Sequence, residues 1–279
     1  MNLFGVNIFL IFLSITYNTV KSEKLRIENG YEAETGMYPY QVRIEIKGMH
    51  NFPDSMPAEK RPVHCGGTII SQRYVLTAAH CIHNEEGRVV RILGGNNIRG
   101  GEHERVYESE AIAVHEDWEL NRQSIRADIA LIKTSEDIIF DDYVQPAKLP
   151  TSKFELRDNE TAIVTGWGLL KAQGRHPVEL RALKMKVVNR QKCQGIWEKI
   201  SKRTMDEFSD NGVICLSGEK GQGVCNSDSG GPAVTTNGIL VGVVSFGDGL
   251  HCNRSNIHPD VFTNVPYYLD WIRLKMKSL

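Results

Sequence analysis

Hydrophobic and polar positions alternate in short runs along most of this chain. Val42, Ile44 and Ile46 are spaced by charged residues, and Leu183, Met185 and Val187 repeat the pattern. A period of two is the signature of a strand with one buried face. The unbroken run Ile239-Leu240-Val241-Gly242-Val243-Val244 reads as a fully buried strand, its glycine marking a close approach. Ala162-Ile163-Val164-Thr165 reads as another, closed by Gly166. Turn signals separate these runs at Gly94-Gly95-Asn96-Asn97, Gly100-Gly101 and Asp210-Asn211-Gly212. Helical spacing is clear at the C-terminus: Tyr268, Leu269, Ile272 and Met276 share a face, Pro266 suits the first turn, and Arg273, Lys275 and Lys277 complement the C-terminal dipole. The pattern predicts an all-β, barrel-like molecule with a C-terminal helix. A polar connection near residues 140–160, interrupted by Pro146 and Pro150, divides it into two halves.

The first 20 residues break this pattern. They contain no charged side chain and hold the apolar run Ile8-Phe9-Leu10-Ile11-Phe12-Leu13. That run is too short to span a bilayer, which takes roughly 20 apolar residues. With Val20 and Ser22 as small residues before a cleavage point, residues 1–22 read as a secretory signal peptide. A secreted chain can keep disulfides. The six cysteines, at 65, 81, 193, 215, 225 and 252, allow 15 full pairings, and spacing alone does not choose among them. No CxxC pair suggests a zinc ribbon. Over 279 residues, 33 Lys and Arg balance 34 Asp and Glu, so no basic stripe points to nucleic acid.

Three separated motifs carry the chemistry. Leu76-Thr77-Ala78-Ala79-His80-Cys81 places an imidazole among small residues. Ala127-Asp128-Ile129-Ala130-Leu131-Ile132 puts a lone carboxylate in an apolar strand, where burial costs several kcal/mol unless the charge is paired. Cys225-Asn226-Ser227-Asp228-Ser229-Gly230-Gly231-Pro232 sets a serine before two glycines that permit a sharp turn and an exposed hydroxyl.

With Thr165-Gly166-Trp167-Gly168 and Val244-Ser245-Phe246-Gly247, these motifs make the chain resemble the chymotrypsin-like serine endopeptidases, from Ile27 to the final helix. The resemblance implies a trypsin-like fold of two six-stranded antiparallel β-barrels over residues 27–279. It implies catalysis by His80, Asp128 and Ser229 without cofactor or metal, with an oxyanion hole from the N–H groups of Ser227 and Ser229. It implies the disulfides Cys65–Cys81, Cys193–Cys215 and Cys225–Cys252. Residues 23–26 would be an activation propeptide, removed after Arg26 by a trypsin-like protease, and the new Ile27 ammonium would insert beside Asp228. The substrate pocket would come from Gly223, Val224, Ser245, Phe246, Gly247 and Asp260. Gly223 stands where a trypsin carries aspartate, and Asp260 where most relatives carry a small residue. That arrangement resembles the arthropod brachyurin-type serine collagenases and implies broad, chymotrypsin-like selectivity with basic side activity.

Ser227 departs from the glycine usual in the family. A side chain there could strain the turn or flip a peptide and remove one oxyanion donor. The alternative expectation is therefore a weakly active or inactive homologue that acts as a binding protein. The segment from Lys47 to Pro62 is longer than its family counterpart, and overhangs the leaving-group side or stands as a solvated insertion. Asn159-Glu160-Thr161 and Asn253-Arg254-Ser255 are N-glycosylation sequons. Gly95 and Arg105 occupy places where calcium-binding members use carboxylates. The remaining expectations are a secreted monomer that acts on proteins or peptides, meets protein protease inhibitors, and binds neither membrane nor nucleic acid.

Overall fold

The computed structural model describes residues 30–48, 56–57, 60, 63–85, 87–120, 125–151, 153–201 and 208–279. The signal segment, Arg26, Ile27 and most of residues 49–62 lie outside them. Fifteen strands and two α-helices follow in chain order among the described residues. A short β1 (Tyr31–Glu32) precedes β2 (Gln41–Ile46), β3 (Cys65–Ile69), β4 (Tyr74–Thr77), β5 (Val90–Gly94) and β6 (Arg105–Val114). A small hairpin of β7 (Glu119–Leu120) and β8 (Ile125–Arg126) leads to β9 (Ala130–Thr134). Strands β2, β3, β4, β9, β6 and β5 close, in that order, into the first barrel.

The second half holds β10 (Thr161–Gly166), β11 (Arg181–Val188), α1 (Arg190–Ser201), β12 (Val213–Ser217), β13 (Pro232–Thr235), β14 (Leu240–Phe246), β15 (Asp260–Asn264) and α2 (Leu269–Ser278). All its strand pairings are antiparallel, and β11 pairs with both β10 and β12, which closes a second six-stranded barrel with β1 at its side. Closure leaves neither barrel an open edge. Among the described residues no helix is long and apolar enough to cross a membrane.

The alternating pattern works as expected on β11, where Leu183, Met185 and Val187 are buried while Lys184 and Lys186 face out. On β2 it breaks, because Arg43 is buried as completely as its apolar neighbours. Its guanidinium donates to both carboxylate oxygens of Glu104, at 3.0 and 3.1 Å, and Glu104 also accepts the Gly100 N–H. The turn at residues 95–104 thus folds over the outer face of β2 around a buried ion pair. Arg105 turns away and pairs with Asp141. Helix α1 lacked a clear apolar stripe in the sequence. Only Cys193 and Trp197 are buried on it, and the Cys193–Cys215 disulfide ties it to β12. Helix α2 starts at Leu269, three residues after Pro266, and buries Leu269 and Ile272.

The barrels meet along a polar seam that aims the site. Thr165 Oγ1 donates to Gln41 Oε1 at 2.5 Å, and the Gly66 N–H donates to the Ser229 carbonyl at 2.7 Å. The other two disulfides, Cys65–Cys81 and Cys225–Cys252, clamp the segments that carry His80 and Ser229.

Removing one partner of a buried guanidinium weakens its compensation, although Glu45, 3.4 Å from Arg43, remains. Glu104→Ala, which loses two charged hydrogen bonds, is expected to destabilise the folded chain by about 2 kcal/mol. An unfolding free energy in urea changed by less than a third of that would show that Arg43 does not depend on Glu104.

Candidate active site

His80 sits in a single 3-10 turn (Ala79–Cys81) directly after β4, and Asp128 just before β9. Because β4 and β9 are paired in the first barrel, the imidazole and the carboxylate emerge side by side. Asp128 is buried, and its hydrogen-bonding capacity is well used. Oδ1 accepts the His80 backbone N–H at 2.9 Å. Oδ2 lies 2.8 Å from His80 Nδ1 and accepts the Ser245 hydroxyl at 2.6 Å. The Asp128 carbonyl accepts the Thr263 hydroxyl at 2.6 Å. Ser245 and Thr263 belong to β14 and β15, so one residue is gripped from both barrels. The sequence motifs identified Asp128 but gave no sign of these two hydroxyl partners, which are distant along the chain.

Burial alone pushes the Asp128 carboxyl up. The charge and hydrogen bond of His80, with the Ser245 hydroxyl, outweigh it and hold Asp128 below the usual carboxylate range. The reverse balance acts on His80. Burial pulls the imidazole down, but the charge and hydrogen bond of Asp128 raise it above its ordinary 6.5. With Asp128 ionised, Nδ1 carries a proton toward it, and Nε2 is left as the basic nitrogen.

Ser229 lies on the turn between Cys225 and β13. Gly230 has φ +78°, and any side chain there would strike the Thr77 hydroxyl and the Gly66 carbonyl, so the turn demands glycine. The Gly230 N–H donates to the Val244 carbonyl at 2.8 Å, which pins the turn to β14. Among the described residues no hydrogen bond joins Ser229 Oγ to His80 Nε2, which lies 3.8 Å from Cys81 Sγ. Such bonds are often long in ligand-free sites and tighten when substrate arrives. Cys65, His80 and Cys81 bring ligand-type atoms within 4.8 Å of one another, but the two sulfurs are bonded to each other and offer no thiolate to a metal.

Ser227 has φ +74°, the left-handed conformation that glycine adopts freely. A serine there costs on the order of 1 kcal/mol. The preceding carbonyl, that of Asn226, accepts the Leu169 N–H at 2.9 Å. In a trans peptide the N–H points opposite the C=O, so this bond turns the Ser227 N–H away from Leu169.

Beside Ser229 opens a cavity of about 180 Å³ lined by Val224, Ser245, Phe246, Gly247 and Gly249, with Cys225 and Asn226 at its edge. Gly223 and Asp260 lie one layer beneath. Asp260 is buried, Oδ2 accepts the Val224 N–H at 2.9 Å, and Oδ1 approaches Gly247 so closely that a side chain at 247 would collide with it. Burial raises the Asp260 carboxyl well above its ordinary value; the Val224 N–H opposes this, while Asp228 and Asp248 add to it. Asp228 is also buried and accepts N–H groups from Gly168 at 2.8 Å and Cys225 at 2.9 Å. Burial raises it to about 6 despite those bonds.

The known proteins that this chain resembles agree with one another. The Trypsin family model matches residues 27–272. Chymotrypsin-2 of Vespa crabro is 36% identical over 254 residues, covering 88% of this chain and 98% of the relative. Chymotrypsin-C of Bos taurus is 34% identical over 286 residues, covering 98% and 99%. Among solved structures, neuropsin, a serine protease expressed in the limbic system of mouse brain, superposes with a TM-score of 0.72 at 26% identity, covering 88% of this chain and 98% of its own.

The two opposed influences on His80 can be separated. In the intact chain the imidazole is expected to titrate above 6.5, held up by Asp128 against burial; in Asp128→Asn that charge is gone, and it is expected to titrate below 6.5. NMR of the His80 ring against pH measures both, and an unchanged midpoint would contradict the assigned cause.

Proposed function

The chain belongs to the trypsin family and is a serine endopeptidase; from that premise we propose the residues that perform the hydrolysis, the event that switches it on, and the bonds it prefers. The observation that carries the proposal is the buried Asp128, bonded to both the backbone N–H and the ring of His80 beside the cavity that Ser229 lines. Ser229 Oγ attacks the scissile carbonyl and passes its proton to His80 Nε2. Asp128 stays ionised, fixes the tautomer and stabilises the imidazolium. The N–H groups of Ser227 and Ser229 receive the oxyanion, each donor worth about 3–4 kcal/mol. The departing amine takes the proton from His80 and leaves an acyl-enzyme on Ser229. Water then attacks that ester with His80 again as base.

The alternative, an impaired homologue, rests on the strained Ser227. The Asn226 carbonyl held by Leu169 favours a working oxyanion hole, because the peptide is already anchored in one orientation. Ser227→Gly is therefore expected to relieve strain and change kcat/KM by less than about tenfold. A gain of about 10²–10³ would instead mean that the serine disables one donor.

The enzyme is made as a secreted zymogen, its signal segment at residues 1–22, and cleavage after Arg26 by a trypsin-like protease frees an ammonium on Ile27 that pairs with Asp228. A carboxyl raised from 3.8 to about 6 contributes most to stability when protonated, below 3.8. That contribution, on the order of 3 kcal/mol, is lost as pH rises through 6. The incoming ammonium lowers the Asp228 pKa and removes the loss. Uncleaved Ser229→Ala protein should thus lose stability between about pH 4 and 6.5, and the cleaved form much less, by urea unfolding. Equal losses in both forms would remove Asp228 from the activation switch. Active-site labelling with a fluorophosphonate probe, beside Ser229→Ala, tests the activity itself: stoichiometric labelling is expected only after cleavage at Arg26.

The neutral lining of the cavity supports large apolar side chains on the acyl side of the scissile bond. Asp260 beneath Gly247 supports basic side activity, since a guanidinium entering the pocket draws the proton off that carboxyl. Turnover of an Arg substrate should rise with pH relative to a Phe substrate, and Asp260→Ala should abolish the rise. Parallel pH profiles for the two substrates in the intact enzyme would leave Asp260 without a role in selection. The enzyme works as a monomer on proteins or peptides, and protein protease inhibitors compete for the same cleft. Asn159 is exposed and suits a glycan, whereas the Ser255 hydroxyl of the second sequon is buried on Gly218 and Gln222, so Asn253 takes one only before folding.

A further inference from the structure

A second cavity, of about 270 Å³, lies behind the catalytic carboxylate rather than in front of it. One wall is Arg126 and Ala127, the residues that lead directly into Asp128. The opposite wall is the start of the C-terminal helix, Tyr267, Tyr268 and Trp271, and the turn at Asp210 and Gly212 closes the end. This cavity shares no lining residue with the one beside Ser229, and the proposed reaction does not use these groups.

The chemistry of the walls is selective. Aromatic rings crowd the space: His115 packs 5.1 Å from Tyr268 and 5.0 Å from Trp271, and Tyr267 meets Tyr268 edge-on at 4.9 Å. Two carboxylates face it. Asp210 Oδ1 accepts the Gly212 N–H at 2.6 Å and Oδ2 the Tyr267 hydroxyl at 3.3 Å. Asp117 is exposed. The Arg126 guanidinium stands 3.9 Å from Asp210 Oδ2, too far for a hydrogen bond. His115 Nδ1 accepts the Asp117 N–H at 3.1 Å, which assigns the neutral tautomer with its proton on Nε2. Lys275 is turned onto Glu116. The walls therefore carry two negative charges against one positive, around π faces.

We propose that this cavity is a binding site for an organic cation, an alkylammonium or guanidinium group with an apolar body. The ammonium makes with Asp210 the charge-assisted hydrogen bond that Arg126 does not make, and the rings hold its carbon frame by cation–π contact. Binding here reaches the reaction through backbone. Ala127 is held at φ +48°, and its carbonyl accepts the Ile129 N–H at 2.7 Å, which closes a tight turn around Asp128 itself. An occupant that presses on Ala127 moves the carboxylate that orients His80, so the effect falls on turnover.

The test uses benzylammonium and phenylguanidinium as probes on the full chain carrying Ser229→Ala, so that binding is read whether or not the enzyme turns over. The indole N–H signal of Trp271, identified by its loss in Trp271→Phe, reports occupancy. Saturable binding is expected, weakened by about threefold in Asp117→Asn and tightened by a similar factor in Arg126→Ala. Binding that ignores both substitutions but weakens in Asp260→Ala would place the probe in the substrate pocket and overturn the proposal, as would no saturable binding at all. In the active enzyme the same probe is expected to change kcat of a small apolar substrate while leaving KM within twofold. A change in KM alone would overturn the link through Ala127.

Discussion

Everything in this molecule turns on how one buried carboxylate is satisfied. Asp128 sits where an isolated charge would cost several kcal/mol. It is kept ionised by donors from both barrels: the backbone and ring of His80 from the first, the Ser245 hydroxyl from the second. The Thr263 hydroxyl grips its carbonyl as well. The same bonds fix the imidazole, and they require the two barrels to stay in one register. Packing between barrels and the placement of the imidazole are thus a single problem, solved by one set of hydrogen bonds.

Two other buried aspartates show how differently such charges can be treated. Asp228 has two backbone donors and no cationic partner among the described residues, and it is driven up to about 6. Asp260 has one backbone donor and two like charges near it, and burial drives it well above the usual carboxylate range too. Each is a carboxyl held short of its partners. Under the proposed function, cleavage after Arg26 supplies the missing partner of Asp228, and a basic substrate supplies that of Asp260. Buried groups of this kind cost stability in the resting state and gain it when the complementary charge appears.

Backbone strain gathers at the same place. Ala127 and Ser227, two of the four non-glycine residues with positive φ among those described, flank Asp128 and the turn that carries Ser229. Strain of this sort persists only where the surroundings over-determine it. At Ser227 that role falls to the Asn226–Leu169 hydrogen bond and Cys225–Cys252, and at Ala127 to the turn closed on Ile129. The second cavity opens against one of these strained positions, which is why an occupant there would be felt at the site.

The all-β character, the C-terminal helix and the motifs around His80, Asp128 and Ser229 were legible in the sequence because each is local. Strand alternation, small residues beside a histidine and paired glycines after a serine act within a few positions of the chain. Helix α1 was not legible, since its hold on the fold is a disulfide and one tryptophan rather than an apolar stripe. The burial of Arg43 on a strand that reads as half-polar was hidden too, because its partner Glu104 lies 61 residues away. So were the Ser245 and Thr263 hydroxyls on Asp128, 117 and 135 residues distant, and the meeting of Arg126 with Asp210. Residue type and near spacing determined which chemical groups this protein has. Only closure of two barrels against each other decided which of those groups meet, because a long-range contact between polar atoms leaves no periodic trace along the chain.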